Sequence, residues 1–187
     1  MRAFNRHLKF VLTASAAALF LTVPTVGRAD DSVTRLLDGL GQAEPAEAKQ
    51  IERELELIWS RSGSSSMDLL LRKGRDALQG GDPQAAIGHL SALIDHAPDF
   101  AEGWHIRASA FYQLEEFGQA QSDLMQALAL NPQHFQAAFG LAALMEQTGR
   151  IDAAYDGYRA VLSVYPAHEQ AQAGRDRLAP LVSGSDT

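Results

Sequence analysis

From residue 67 to residue 168 the apolar positions recur at helical spacing, in segments that come in pairs. Trp104, Ala108 and Phe111 fall on one face of a helix predicted over 102–114. Ala120, Leu124, Ala127 and Leu128 make the stripe of a partner helix over 118–130. The same pattern predicts helices over 67–79 and 83–96 before this pair, and over 135–147 and 151–164 after it. Turn chemistry separates them. Gly80, Gly81 and Asp82 form one turn, Gly149 another, and Pro83 stands at a first helical position, where its missing N–H costs nothing. Asn131 and Pro132 end a helix, because proline has no donor and crowds the preceding turn. Asp99 followed by Glu102 has the form of a capping box. No strand pattern is evident, so the fold class is all-α.

Pro98, Pro132 and Pro166 stand 34 residues apart, and the same shift aligns the chain without gaps. Gly74, Ala108 and Ala142 coincide, all small, and so do Ala86, Ala120 and Ala154 on the partner helices. Small residues on facing helices let two backbones approach, while Leu90, Leu124 and Tyr158 fill the space beside them. A large residue at Ala120 should overpack that contact at about 1–3 kcal/mol. Truncating a buried Trp104 should cost about 3–5 kcal/mol. The units are 67–100, 101–134 and 135–168.

The flanks carry weaker versions of the pattern. Val33, Leu36, Leu37 and Leu40 predict one short helix, and Pro45 opens another with the stripe Ala48, Ile51, Leu55 and Ile58. Residues 30–66 thus read as a degenerate repeat and a Ser/Gly link. Trp59 either packs on the first full unit or stays exposed as an anchor. The link is either an ordered turn, with Ser65 or Ser66 capping the next helix, or a hinge. Residues 169–180 predict a capping helix stopped by Pro180, and 181–187 a disordered tail.

Composition changes the picture at the amino terminus. Arg2, Arg6 and Lys9 precede an apolar run from Phe10 to Val26, and Gly27 and Ala29 are small where a signal peptidase inspects. We expect a secretory signal over 1–29, cleaved between Ala29 and Asp30, and hence export to the periplasm. The run is short for an uncleaved membrane anchor, and Pro24 weakens its end. Cleavage would leave 12 basic and 23 acidic residues, a formal charge of −11. That field repels nucleic acid and anionic lipid, and makes a basic protein or peptide the natural partner; solubility alone explains it equally well. The chain has no cysteine, so neither a disulfide nor a thiolate metal site can form.

With these residues in place, the chain resembles the tetratricopeptide repeat family. Trp104, Ala108, Phe111, Ala120, Leu124, Ala127 and Pro132 supply the repeat signature in the middle unit, and the resemblance covers residues 67–168. Lys73 and Arg107 depart from it, standing where the family prefers leucine; Arg107 is within reach of Asp123. The segment Ile58-Trp59, Ser62-Gly63-Ser64 and the run from Ala97 to Trp104 also resemble short periplasmic repeat proteins of alphaproteobacteria. The resemblance implies a right-handed superhelical solenoid of antiparallel helix pairs. It implies a non-enzymatic module that binds a peptide or helix of a cell-envelope partner. A permanently bound structural subunit is the alternative, and an envelope hydrolase the weakest reading.

First helices line the concave face of such an array. The residues expected to face a partner are Asp68, Leu71, Arg75, Glu102, His105, Ser109, Tyr112, Gln136, Phe139 and Glu146. Some family members grip a partner's terminal carboxylate with inward basic residues. The matching positions here are Leu71, Arg75, Ile106, Gln136 and Gly140, of which only Arg75 is basic, so that role is not expected. No HxH or HExxH arrangement or glycine-rich phosphate loop occurs, so no catalytic residue, metal or cofactor is expected.

Overall fold

The computed structural model describes residues 27–183, all of whose regular elements are helices. In chain order they are α1 (Gly27–Leu40), α2 (Pro45–Trp59), α3 (Ser65–Gln79), α4 (Pro83–His96) and α5 (Ala101–Gln113). They continue with α6 (Phe117–Leu130), α7 (Phe135–Gln147), α8 (Ile151–Val164) and α9 (Glu169–Ser183). The expected bounds of α4, α7 and α8 are met, as is the expected start of α2 at Pro45. The basic start and the apolar run to Val26 lie outside the described residues. Because α1 begins at Gly27, the expected cleavage after Ala29 falls in its first turn.

Sequential pairing holds. α3 packs on α4, α5 on α6 and α7 on α8, and the units join through α4 on α5, α6 on α7 and α8 on α9. Ala86, Ala120 and Ala154 have no exposed surface, and Ala108 and Ala142 are buried. The reason is visible at Gly74, where an added Cβ would stand 2.6 Å from Leu90 Cγ. The turn register repeats as well. Gly81, Glu115 and Gly149, each 34 residues apart, adopt φ of 77°, 60° and 75°. Only glycine enters that region freely, so Glu115 is strained. Arg107 meets Asp123 through two hydrogen bonds of 2.7 and 2.9 Å and lies over the Trp104 ring.

The front helices depart from expectation. They do not stack ahead of α3 as a degenerate repeat. Instead Leu37, Leu40, Ala48 and Leu55 share an apolar core with Phe135 and Tyr165, and Trp59 stacks on His134 at 4.8 Å. So Trp59 packs where the second and third units meet, not on the first. α2 runs back across the entries to the first helices. Lys49 pairs with Glu169 at 2.9 Å, Tyr165 donates to Glu52 at 3.1 Å, and Gln136 donates to Glu56. Fifteen residues of helix span about 22 Å, enough to brace consecutive units. The physical cause is complementarity on both sides of the helix. Its apolar stripe finds an open apolar seat, and its flanking acids find a hydroxyl and an amide.

Local capping also differs. α5 has Phe100 at its cap position with no side-chain cap, because Glu102 turns into the protein instead of closing a box with Asp99. Neither Ser65 nor Ser66 caps α3. Asp68 instead accepts from Ser62 N and Oγ at 2.8 and 2.6 Å, which makes the link an ordered turn. Pro180 does not stop α9, which carries it inside the helix and runs on through Leu181 and Val182 to Ser183. The proline is exposed, so water can replace the partner that the Asp176 carbonyl loses.

Candidate functional site

The first helices and α2 enclose two adjoining hollows. One, of about 440 Å³, lies between α2, α3, α5 and α7 and is lined by Arg53, Glu56, Leu57, Ser60, Arg75, Glu102, His105, Ile106 and Gln136. The other, of about 460 Å³, is a groove between α5 and α7. Its lining is His105, Ala108, Ser109, Tyr112, Gln113, Leu124, Gln136, Phe139, Gly140 and Ala143. His105 and Gln136 belong to both, so the hollows form one continuous surface.

Of the ten residues expected to face a partner, His105, Ser109, Tyr112, Gln136 and Phe139 line the groove. Arg75 and Glu102 line the neighbouring hollow. Leu71 is a correction. It occupies the repeat position of His105 and Phe139, yet it is 1% exposed within the cluster of Leu90, Leu93 and Ala110, and so offers no surface. Asp68 holds the Ser62 turn, whose donors keep its carboxyl below the usual range. Glu146 receives two hydrogen bonds from Arg177 and one from Tyr158, and these donors depress its pKa in turn. Neither acid lines either hollow. The sequence did not signal Arg53, Glu56, Leu57 and Ser60 as lining residues, because nothing local reveals where α2 docks.

Glu102 is the most constrained charge of the surface. It is 4% exposed and engaged from three elements. Arg75 of α3 bonds Oε1, while His105 Nδ1 and His134 Nε2 stand 3.2 and 2.8 Å from Oε2. Burial pushes its pKa up, but the hydrogen bonds from the two histidines outweigh burial and hold it well below the ordinary carboxylate range. The group is therefore an anion that only accepts, and both histidines donate to it. Charge reversal at Glu102 would thus strike the fold itself, contrary to the expectation that it lies free in the groove.

His134 has no exposed surface and uses both ring nitrogens. Nε2 donates to Glu102, and Nδ1 accepts from the N–H of Ala137 at 3.3 Å, capping α7. His168 repeats the cap one unit later, accepting from Ala171 N–H at 3.2 Å. Burial drives the pKa of both histidines down, only partly offset by Glu102 at His134 and by backbone and Glu169 contacts at His168. Both rings are neutral.

Glu102, His105 and His134 bring three ligand atoms within 4.8 Å of one another. A metal on His134 Nε2 would require the ring proton on Nδ1, which already faces the Ala137 N–H. Arg75 adds a positive charge on the other carboxylate oxygen. The cluster fits a hydrogen-bond network better than a metal centre. Nor does Ser109 meet a base, since its hydroxyl donates to the His105 carbonyl of its own helix. Ser109 and the Glu102 cluster are thus engaged in hydrogen bonds within the protein.

Two tetratricopeptide repeat family models match residues 71–120 and 111–178. A TPR repeat-containing protein of Rhizobium etli is 30% identical over 146 residues, which cover 78% of this chain and 72% of that one. Among solved structures, the first TPR of Spaghetti (RPAP3), bound to an HSP90 peptide, is 25% identical with a TM-score of 0.62. That match covers 64% of this chain and 95% of that one. The Arabidopsis OM64 TPR domain is 23% identical with a TM-score of 0.60, covering 62% and 95% of the two chains, a likeness of fold alone. By its 34-residue register, its sequential helix pairs and these matches, the chain belongs to the tetratricopeptide repeat family.

Proposed function

We propose that this protein is a periplasmic adaptor that holds a peptide or helix of a cell-envelope partner in the groove between α5 and α7. The observation that carries the reading is the groove itself. It is open and largely apolar, and it presents Tyr112 and Phe139 on a face whose curvature α2 braces. Bracing matters because a preformed site spares the ordering cost of binding. A structural relative seen with a bound peptide supports peptide binding as the mode. Capture of a terminal carboxylate is not the mode, since Arg75 is already paired with Glu102. The exposed large apolar residues Leu57, Leu69, Met125 and Leu181 lie on four different helices, which gives no support to a permanently covered face.

The periplasmic assignment rests on the basic start, the apolar run and the small residues at 27 and 29. No helix among the described residues is long and apolar enough to cross a membrane. Two experiments test the proposal. Cell fractionation should find a shortened product in the periplasm, and a full-length protein retained by the inner membrane refutes export. Tyr112→Ala with Phe139→Ala should abolish binding of an envelope partner cross-linked to the wild type. Unchanged cross-linking with helicity retained refutes the groove.

A further inference from the structure

The groove between α5 and α7 has a chemical character that the charge of the whole chain does not suggest. In a protein with 23 acidic and 16 basic residues, none of the ten residues lining it is Asp, Glu, Lys or Arg. The acids nearest in sequence register are engaged elsewhere, Glu102 with Arg75 and two histidines, Glu146 with Arg177 and Tyr158. A charged side chain laid into this groove would lose water without gaining a counter-ion.

One lining atom is set apart. His105 Nδ1 must donate to Glu102, because an ionised carboxylate offers no proton. With a single proton on the ring, that hydrogen bond places it on Nδ1 and leaves Nε2 an acceptor. Among the described residues no buried side-chain nitrogen or oxygen lacks a partner, so this nitrogen reaches the surface at the residue shared by the two hollows. His134 shows the contrast. The same carboxylate fixes its tautomer too, but its second nitrogen is closed by Ala137.

We propose that the groove takes an uncharged, apolar peptide segment and reads one hydrogen-bond donor from it, a hydroxyl or amide N–H, through Nε2 of His105. This deepens the adaptor reading and rests on it. Glu102 is a positioning residue, since it acts by fixing the tautomer of His105 without touching the ligand. A partner that offers an acceptor at that point meets another acceptor and is rejected. The ionisable groups around the ring are Glu102 on its own helix, Arg75 from α3, His134 from α7, and Arg53 and Glu56 from α2.

The test pans a phage-displayed library of short random peptides against the folded chain at about pH 8 and measures the affinity of each recovered peptide. The expected binders are uncharged, carry an apolar residue beside a Ser, Thr, Tyr or amide donor, and are blocked by Ala143→Lys, which sets a charge in the groove. They should lose roughly tenfold in affinity with His105→Phe. Peptides blocked by Ala143→Lys but indifferent to His105→Phe overturn the inference and leave the groove reading standing. So do charge-rich peptides blocked by that variant. Recovery of no peptide, or only of peptides that ignore Ala143→Lys, overturns the groove reading and this inference together. A separate check is independent of any ligand and of variant folding. Imidazole 15N spectra of the wild type should show His105 protonated at Nδ1 and bare at Nε2, and the reverse pattern overturns the proposal.

Discussion

Replacing Glu102 with glutamine changes one atom and almost no volume, yet it should be among the most damaging substitutions in the chain. The carboxylate is 4% exposed and receives three donors, one on Oε1 and two on Oε2. A glutamine offers one acceptor oxygen and one NH2 group. If the amide nitrogen replaces Oε1, it confronts Arg75; if it replaces Oε2, it confronts two imidazole N–H groups. His105 can relieve its half by moving its proton to Nε2. His134 cannot, because its Nδ1 is the cap of α7. At least one buried donor is left unmatched, and the Arg75 charge loses its partner. Breaking a buried ion pair from one side costs about 3–5 kcal/mol, and Arg75 is partly exposed, so about 2–4 kcal/mol is expected. Urea denaturation followed by circular dichroism at neutral pH measures it. The sign with pH follows from the depressed pKa of Glu102. Its contribution is present above the unfolded value of 4.5 and is lost as pH falls through the folded one. The gap between wild type and variant should therefore narrow on acidification below about pH 4.5. A loss under about 1 kcal/mol at neutral pH would refute the buried-anion account, because a solvated carboxylate behaves that way.

Other expectations follow from the same geometry. Glu115→Gly should stabilise the protein by roughly 0.5–1 kcal/mol, since relief of a left-handed residue outweighs the added freedom of the unfolded chain. Gly149→Ala should destabilise it by about 1 kcal/mol without any steric clash, because nothing lies within 4 Å of the added carbon; equal denaturation midpoints for all three proteins would contradict both. His134 and His168 have depressed pKa values, so their contribution is intact above the unfolded value of 6.5 and fades as pH falls below it. Wild-type stability should drop between about pH 6.5 and 5, and His134→Asn, which keeps an N-cap acceptor, should flatten that slope. Leu55→Ala, at a fully buried position of α2, should cost about 2–5 kcal/mol and raise amide exchange at the start of α7, whereas exchange changes confined to α1 and α2 would mean the brace carries no load.

The lining of the groove was only partly legible from the chain. His105, Ser109, Tyr112, Gln136 and Phe139 could be placed because a helix face follows from spacing alone. Leu71 shares the repeat position of His105 and Phe139 but has a different fate. A repeat position specifies direction relative to the helix axis, whereas exposure depends on which neighbour arrives there. Glu102 shows the same limit. Its spacing from Asp99 suited a local cap, but the cluster that claimed it draws on Arg75, 27 residues earlier, and His134, 32 residues later.

What the chain determined by itself is the set of helices, their pairing and their register. These depend on interactions within a few turns: a stripe every three or four residues, proline and glycine at the breaks, and small residues opposite large ones at a 34-residue period. Only the tertiary structure decided where α2 lies, which acids are neutralised and which imidazole nitrogen is left open. The stripe of α2 states that it must be covered without stating by what. Its seat at Phe135 and Tyr165 exists only once α7 and α8 have been folded beside each other, some 80 to 110 residues further along the chain.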